Sequence, residues 1–283
     1  MKKNKYSLLA LFAVLTLSII SCQNFEVPEM VLTSEDDPSL NGPLQRFWAF
    51  ENVATDSIWG SRGTATGVTF ADGVKGKAYK GSTTGQIEYS SAGKLATLES
   101  FTVAFWMKTD KHKGGAQSLF MLPNSGDFWG NMFMTIEGNE DDKNNTMLAK
   151  FNFGGNWIVF DQTNNANGLN RWSDAYGKWK HVVFSYDGAT SKFAAYVDGA
   201  KLPLASSVTD RTKEIKPKEF VPLGPLKMAN VSKFVLGGFQ QHIGIKAPAD
   251  DWMLHYTGML DQFRVYTRAL SDTEITELYT KKM

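Results

Sequence analysis

Along "GMLDQFRVYTRALSDTEITELY", residues 258–279, the spacing of apolar and polar positions changes period. Alternation in the first half puts Asp261, Phe263 and Val265 on one face of a strand and Leu260, Gln262, Arg264 and Tyr266 on the other. The second half reads as a short C-terminal helix. Ser271 is placed to cap it, Glu274 completes a capping box, and Leu270 can staple against Ile275. Ile275 and Leu278 supply an apolar stripe, with Lys281 and Lys282 at the favourable end of the dipole. Upstream, "SFTVAFWMKT" sets Phe101, Val103, Phe105 and Met107 against Thr102, Ala104 and Trp106, so both faces carry apolar groups, as in the middle of a sandwich. "HVVFSYDG" and "KFAAYVDGAKL" read as two further strands. Asp187-Gly188 and Asp198-Gly199 fall where strands should reverse, because both positions of such a pair tolerate positive φ. From "LQRFWAFEN" onward the chain is a succession of short β-like runs separated by turn signals, which predicts an all-β, two-sheet antiparallel sandwich. Trp106 and Trp179, embedded in strand patterns, are expected in the core. The long connection 206–233 is expected to cover a sheet edge or border a groove.

The first residues follow another pattern. Residues 1–21 carry a basic start at Lys2, Lys3 and Lys5, then an apolar run too short to span a bilayer comfortably, ending at a small residue before cysteine. This is the pattern of a secretory signal. "IISC" resembles a bacterial lipobox, which implies that Cys22 becomes the lipid-bearing first residue and the membrane anchor. Residues 22–43 lack periodicity and read as a tether, leaving 44–283 as one domain. The acids Glu26, Glu29, Glu35, Asp36 and Asp37 fit either a surface-export signal or a solvated linker. Cys22 is the one cysteine, so no disulfide supports the domain. Lys+Arg number 30 against Asp+Glu 29, and loss of the signal takes the formal charge from +1 to about −2, which argues against nucleic acid as a partner.

Four stretches carry a family resemblance: "FADGVKGKAYKG", "SFTVAFWMKT", "KWKHVVFSYDGATSKFAAYVDGAKL" and "GMLDQFRVYTRALSDTEITELY". In this order they resemble the laminin-G-like (LamG) branch of the concanavalin A-like lectin/glucanase superfamily, across most of residues 44–283. "LGGFQQHIGIKAPADDWMLHYTGMLDQFRVY" is similar to laminin-G-like lipoproteins of gut Bacteroidetes. The resemblance implies a jelly-roll sandwich and a carbohydrate-related role; the lipobox and the exposed tether predict a lipid-anchored place at the outer membrane, with surface display favoured over a periplasmic orientation.

A carboxylate leading what looks like a core face must be neutralised, hydrogen-bonded or bound to a cation. Resemblance to calcium-containing members of the superfamily pairs Asp261 with Asp56, in the "DSIWGSRG" loop, as ligands of one structural Ca2+. Otherwise Asp261 accepts backbone N–H bonds or pairs with Arg264 or Arg268. A second acidic run, at Glu140, Asp141 and Asp142, reads as a surface ion site or a solvated loop. Retaining glycosidases of the superfamily carry two glutamates flanking an aspartate on one strand; neither Glu-x-Asp-x-Glu nor Glu-x-Asp-x-x-Glu occurs in this sequence. Asp250 and Asp251 point oppositely if extended, and His112, His181, His242 and His255 are unclustered in sequence. No catalytic residue is assigned. Aromatics concentrate instead in loop-like stretches, at Trp129, Trp157, Trp172, Tyr176 and Trp252. Asn131, Asn156, Asn170, Gln240, Gln241 and Asp251 stand near them as polar partners. Sugar rings have apolar C–H faces and polar edges, so aromatic platforms flanked by amides and carboxylates suit them. The sequence thus predicts non-catalytic glycan binding, with an atypical glycoside hydrolase and a protein-binding adhesion module as the rival readings.

Overall fold

The computed structural model describes residues 42–138, 143–245 and 250–283. The signal, Cys22, the tether up to residue 41, and Glu140, Asp141 and Asp142 lie outside the described residues. Two eight-stranded sheets face each other. The first runs in the order β15 (Ala200–Lys201), β14 (Lys192–Val197), β13 (Trp179–Asp187), β6 (Phe101–Lys108), β20 (Met259–Tyr266), β4 (Lys77–Lys80), β3 (Thr69–Asp72), with β1 (Leu44–Trp48) also on β20. The second runs β11 (Asn156–Phe160), β10 (Ala149–Phe153), β8 (Met132–Glu137), β7 (Ala116–Leu122), β18 (Phe234–Leu236), β5 (Gln86–Tyr89), β2 (Thr64–Thr66), with β19 (Met253–His255) parallel to β7. Two ribbons, β9 (Thr146–Met147) with β12 (Trp172–Ser173) and β16 (Thr212–Lys216) with β17 (Glu219–Pro222), stand apart. The helices are α1 (Ser206–Thr209) and α2 (Asp272–Thr280).

The core between the sheets is strongly aromatic. Phe105 and Phe263 of the first sheet stack at 5.1 Å, and both meet Phe120 of the second edge-on. Phe184 lies flat on Phe151 across the gap, at 4.1 Å. These offset and edge-to-face arrangements add to the gain from burying large apolar surfaces. On β6, Phe101, Val103, Phe105 and Met107 point into this core as the alternation requires. The other face of β6 is also apolar because α2 lies on it: Ala104 packs with Leu270, Ile275 and Leu278, and Trp106 stacks on Tyr279 at 5.5 Å. Trp106 is buried; Trp179 is only half-buried at the start of β13.

The helix starts where Ser271 and Glu274 reciprocate as a capping box, and Arg268 with the Ser271 N–H holds the Glu274 carboxyl down to about 2. At the β14–β15 hairpin Asp198 and Gly199 both take positive φ, 52° and 76°, as the Asp-Gly pair predicts. The Asp187-Gly188 reversal is built otherwise. Its loop closes at the Asp187–Lys192 pair, Ser191 takes the left-handed conformation, and the Asp187 carboxylate accepts from Ala189 N–H and the Thr190 hydroxyl. The connection 206–233 holds α1 and the β16–β17 hairpin, which sequence alternation does not disclose because every residue of β16 is exposed.

The facing of β20 also differs from simple alternation. The register against β6 slips between Asp261 and Arg264, and Gln262 sits at φ 50°. This bulge lets Leu260 and Phe263 both enter the core and removes Asp261 from the Phe263 face.

Candidate functional site

The second sheet presents an outer face built by alternation on three adjacent strands. Met132, Met134, Phe151, Phe153 and Ile158 point into the core. The intervening positions therefore point outward: Phe133, Thr135 and Glu137 on β8, Lys150 and Asn152 on β10, Trp157 and Val159 on β11. Asn152 is paired in register with Phe133 on one side and Trp157 on the other.

Two loops bring further rings onto this face. In the first, the Gln240 side chain donates to Asp127 O at 2.7 Å and accepts from Asn124 N–H at 3.0 Å. Gly130 closes the turn at φ 65°, where a Cβ would lie 2.2 Å from the Met121 methyl. Trp129 is thereby laid on Phe133, stacked at 6.0 Å, and meets Trp157 edge-on at 4.9 Å. In the second loop, Ala116 N–H donates to Trp252 O at 2.7 Å, Gln241 Nε2 donates to Asp250 O at 2.9 Å, and His242 Nε2 lies 3.0 Å from Met253 O. These bonds hold Trp252 5.9 Å from Trp129. Trp129, Trp157 and Trp252 are 36%, 38% and 40% exposed, and Phe128, Phe133 and Phe239 form the floor beneath them. Asp251 is exposed beside Trp252, and Glu137 and Lys150 form a 2.7 Å ion pair on the same face.

The structure thus joins three of the five aromatic candidates and separates the other two. Trp172 and Tyr176 are buried in the main core, Trp172 against Phe160 at 5.3 Å, and are packing residues rather than platforms. Trp172 and Asn170 do border a concavity of about 280 Å³, and a second of about 400 Å³ lies by Tyr196 and Asp272; neither contains the exposed tryptophans. Several amides expected to meet ligand brace loops instead. Asn131 donates to Pro123 O and Ala229 O, Asn156 accepts from Arg211, and Gln240 is buried under the Trp129 turn. Gln241 is a brace through Nε2, with its Oε1 buried and unbonded. Sequence reading missed Phe128, Phe133, Asn152 and Phe239. The outward phase of Asn152 was available from the alternation in "AKFNF", but its neighbours depend on strand pairing.

The two proposed metal ligands stand in different surroundings. Asp56 is fully buried, and both its oxygens are in use: Oδ1 accepts from Phe47 and Ile58 N–H, Oδ2 from Trp59 N–H and from Arg46 at 2.7 Å. A saturated carboxylate already paired with a guanidinium does not fit a calcium ligand. Asp261 Oδ2 accepts from Val74 N–H at 2.7 Å and Lys75 N–H at 3.0 Å, so the backbone-donor reading holds for this oxygen. Its Oδ1 is buried without a hydrogen bond of normal geometry, and burial pushes the carboxyl up to about 6 against the pull of the neighbouring amides. Arg264 is not its partner: that guanidinium bonds Gln262 and lies 3.9 Å over the Phe47 ring. The two aspartates share no partner, and the described residues contain no group of three or more His, Cys, Asp or Glu able to hold a metal.

Residues 81–220 match the Laminin_G_3 family, of the concanavalin A-like lectin/glucanases superfamily. No curated protein matches the sequence. Among solved structures, the chain is similar to domain 4 of AbnA, a GH43 extracellular arabinanase from Geobacillus stearothermophilus, in complex with arabinotriose. The TM-score is 0.54 at 19% identity, over 83% of this chain and 98% of that one. It is also similar to the binding domain of botulinum neurotoxin DC in complex with SialylT, with TM-score 0.52 at 13% identity, over 87% of this chain and 53% of that one. The match therefore spans about half of the toxin domain. At such identities the shared feature is the fold. The matched segment is thus a laminin-G-like stretch of the concanavalin A-like lectin/glucanase superfamily, embedded in a two-sheet sandwich of that architecture.

Proposed function

We propose that this protein is a cell-envelope lipoprotein that binds glycan through the outer face of its second sheet, as a non-catalytic accessory to polysaccharide capture. The observation that carries the reading is the contiguous patch of Trp129, Trp157 and Trp252, each more than a third exposed on a braced floor. Exposed large aromatics gathered on one face offer the apolar C–H faces of sugars a surface to stack on. The oligosaccharide-bound states of the arabinanase domain and of the neurotoxin domain agree with this class of ligand. The anchor is Cys22, and the place is the outer membrane, facing the cell exterior. The candidate patch does not involve Asp261, which lies on the first sheet, so the hydrolase reading gains nothing from its raised pKa.

Affinity gels and a glycan array test the reading. Wild-type protein is expected to be retarded by at least one polysaccharide, and Trp157→Ala or Trp252→Ala to weaken binding about tenfold or more. No retardation of folded wild-type protein by any glycan would move the assignment to protein adhesion. That second reading rests on the β16–β17 hairpin, where Ile215 and Phe220 are exposed.

A further inference from the structure

Beneath the tryptophan patch lies a polar side chain that the fold itself leaves idle. Asn152 is fully buried, yet neither its Nδ2 nor its Oδ1 has a hydrogen-bond partner. A buried primary amide without partners is costly, and an apolar residue of similar size would be the more stable choice at this point of β10. The strand register puts its side chain on the outer face, between Phe133 and Trp157. The ring touching both flanking residues is Trp129, which stacks on Phe133 and meets Trp157 edge-on. Trp129 comes from a loop, not from the sheet; its backbone N–H donates to the Asp127 carboxylate at 3.3 Å, and the ring can turn about its own side-chain torsions while that backbone stays in place.

We infer that Asn152 is a concealed specificity-determining residue, covered by Trp129 in the free protein, whose amide meets a pair of adjacent hydroxyls on a neutral sugar when that ring swings aside. The inference rests on the glycan reading and deepens it. An amide presents donors and an acceptor without charge, and a vicinal diol presents the same two functions in reverse. Among the described residues of this face, Glu137 and Lys150 neutralise each other and Asp251 adds a negative charge, so none of them favours a sulfated or uronic sugar. Stacking on Trp157 and Trp252 supplies affinity for any sugar face, and the amide distinguishes the arrangement of hydroxyls. The structure then combines a stability cost with a recognition function at one position.

Full-length wild-type protein, Asn152→Leu, Asn152→Thr and Trp157→Ala are compared by thermal unfolding and by retardation in gels containing arabinan, mannan, xylan or mixed-linkage glucan. Asn152→Leu is expected to unfold several degrees higher than wild type while binding at least about tenfold more weakly. Asn152→Thr, which keeps a hydroxyl at a strand position, is expected to lose part of the binding and serves if the leucine variant does not fold. Unchanged retardation of either Asn152 variant beside a weakened Trp157→Ala would overturn the role of Asn152 and leave glycan binding by the tryptophans standing. A wild-type protein retarded by none of the four gels or by any arrayed glycan would overturn both.

Discussion

Two buried titratable side chains respond to pH in opposite directions, and each does so for a reason visible in its surroundings. The Asp261 carboxyl titrates at about 6 in the fold because burial outweighs the pull of the Val74 and Lys75 amides. Against about 3.8 in the unfolded chain, the folded state binds the proton first as pH falls, so Asp261 adds stability on going from above pH 6 towards pH 4. The full change is at most about 3 kcal/mol. His181 behaves oppositely. Its ring is buried against Trp106 and Tyr279 with both nitrogens unbonded, and burial lowers its pKa to about 4 despite the attraction of Asp198. The unfolded chain takes that proton first, near the ordinary 6.5, so stability is lost as pH falls from about 6.5 to 4, again by at most about 3 kcal/mol. The prediction that separates them is Asp261→Asn, whose side-chain oxygen keeps both backbone donors while the charge goes. Urea unfolding at pH 7 should show the variant stabilised by roughly 1–3 kcal/mol, shrinking towards zero at pH 4. A variant destabilised at pH 7, more so with calcium present, would mean that the carboxylate serves a cation.

At the scale of elements, the most consequential contact is between a hairpin and the helix across from it. Gly199 takes φ 76° in the β14–β15 turn, and a Cβ there would lie 2.7 Å from the Tyr279 ring of α2. Tyr279 in turn stacks on Trp106, so the turn supports the lid over the outer face of the first sheet. Gly199→Ala should therefore cost about 1–3 kcal/mol, from the left-handed backbone and the displaced ring together. It should also change the near-UV signal of Trp106. A loss under about 0.5 kcal/mol with that signal intact would mean that α2 shifts freely, and the coupling would be refuted. Such local features are where the sequence was most legible: the capping box at Ser271, the Asp198-Gly199 turn and the two-faced strand β6 all follow from residues within a few positions of one another. What escaped it depends on longer-range geometry. One inserted residue at Gln262 reverses the facing of Asp261, and the β16–β17 hairpin has no buried side on which a period could appear. Trp172 and Tyr176 have the polar neighbours of loop tryptophans, yet the β9–β12 ribbon region folds them into the core. Conversely, Trp129 and Trp252 stood out one by one in loop-like polar surroundings, and Trp157 only as one of the aromatic stretches. Their assembly into a patch needs the register of β8, β10 and β11, which no local pattern encodes.

For the whole molecule, the two sheets have different outer faces and therefore different uses. The first sheet is capped by α2 and receives the incoming chain: Leu44 of β1 pairs with Tyr266, and Thr267 N–H donates to Pro43 O. The second sheet carries the exposed tryptophans on the side away from that entry. The first described strand therefore leaves the aromatic face of the second sheet uncovered. If Cys22 bears lipid, Cys22→Ala should move the protein from the detergent-soluble membrane fraction to the aqueous fraction of a bacterial host that lipidates such signals, because single-chain or multi-chain acylation is what holds an otherwise polar domain on a bilayer. Retardation by a glycan gel should be the same for the released variant as for the anchored protein, since the tryptophan patch lies on the second sheet and the first described strand, β1, on the first. Cells displaying the wild type should also adsorb that polysaccharide from outside without permeabilisation. Membrane retention of Cys22→Ala would refute the lipid anchor. Adsorption only after the outer membrane is opened would keep the anchor and turn the domain towards the periplasm.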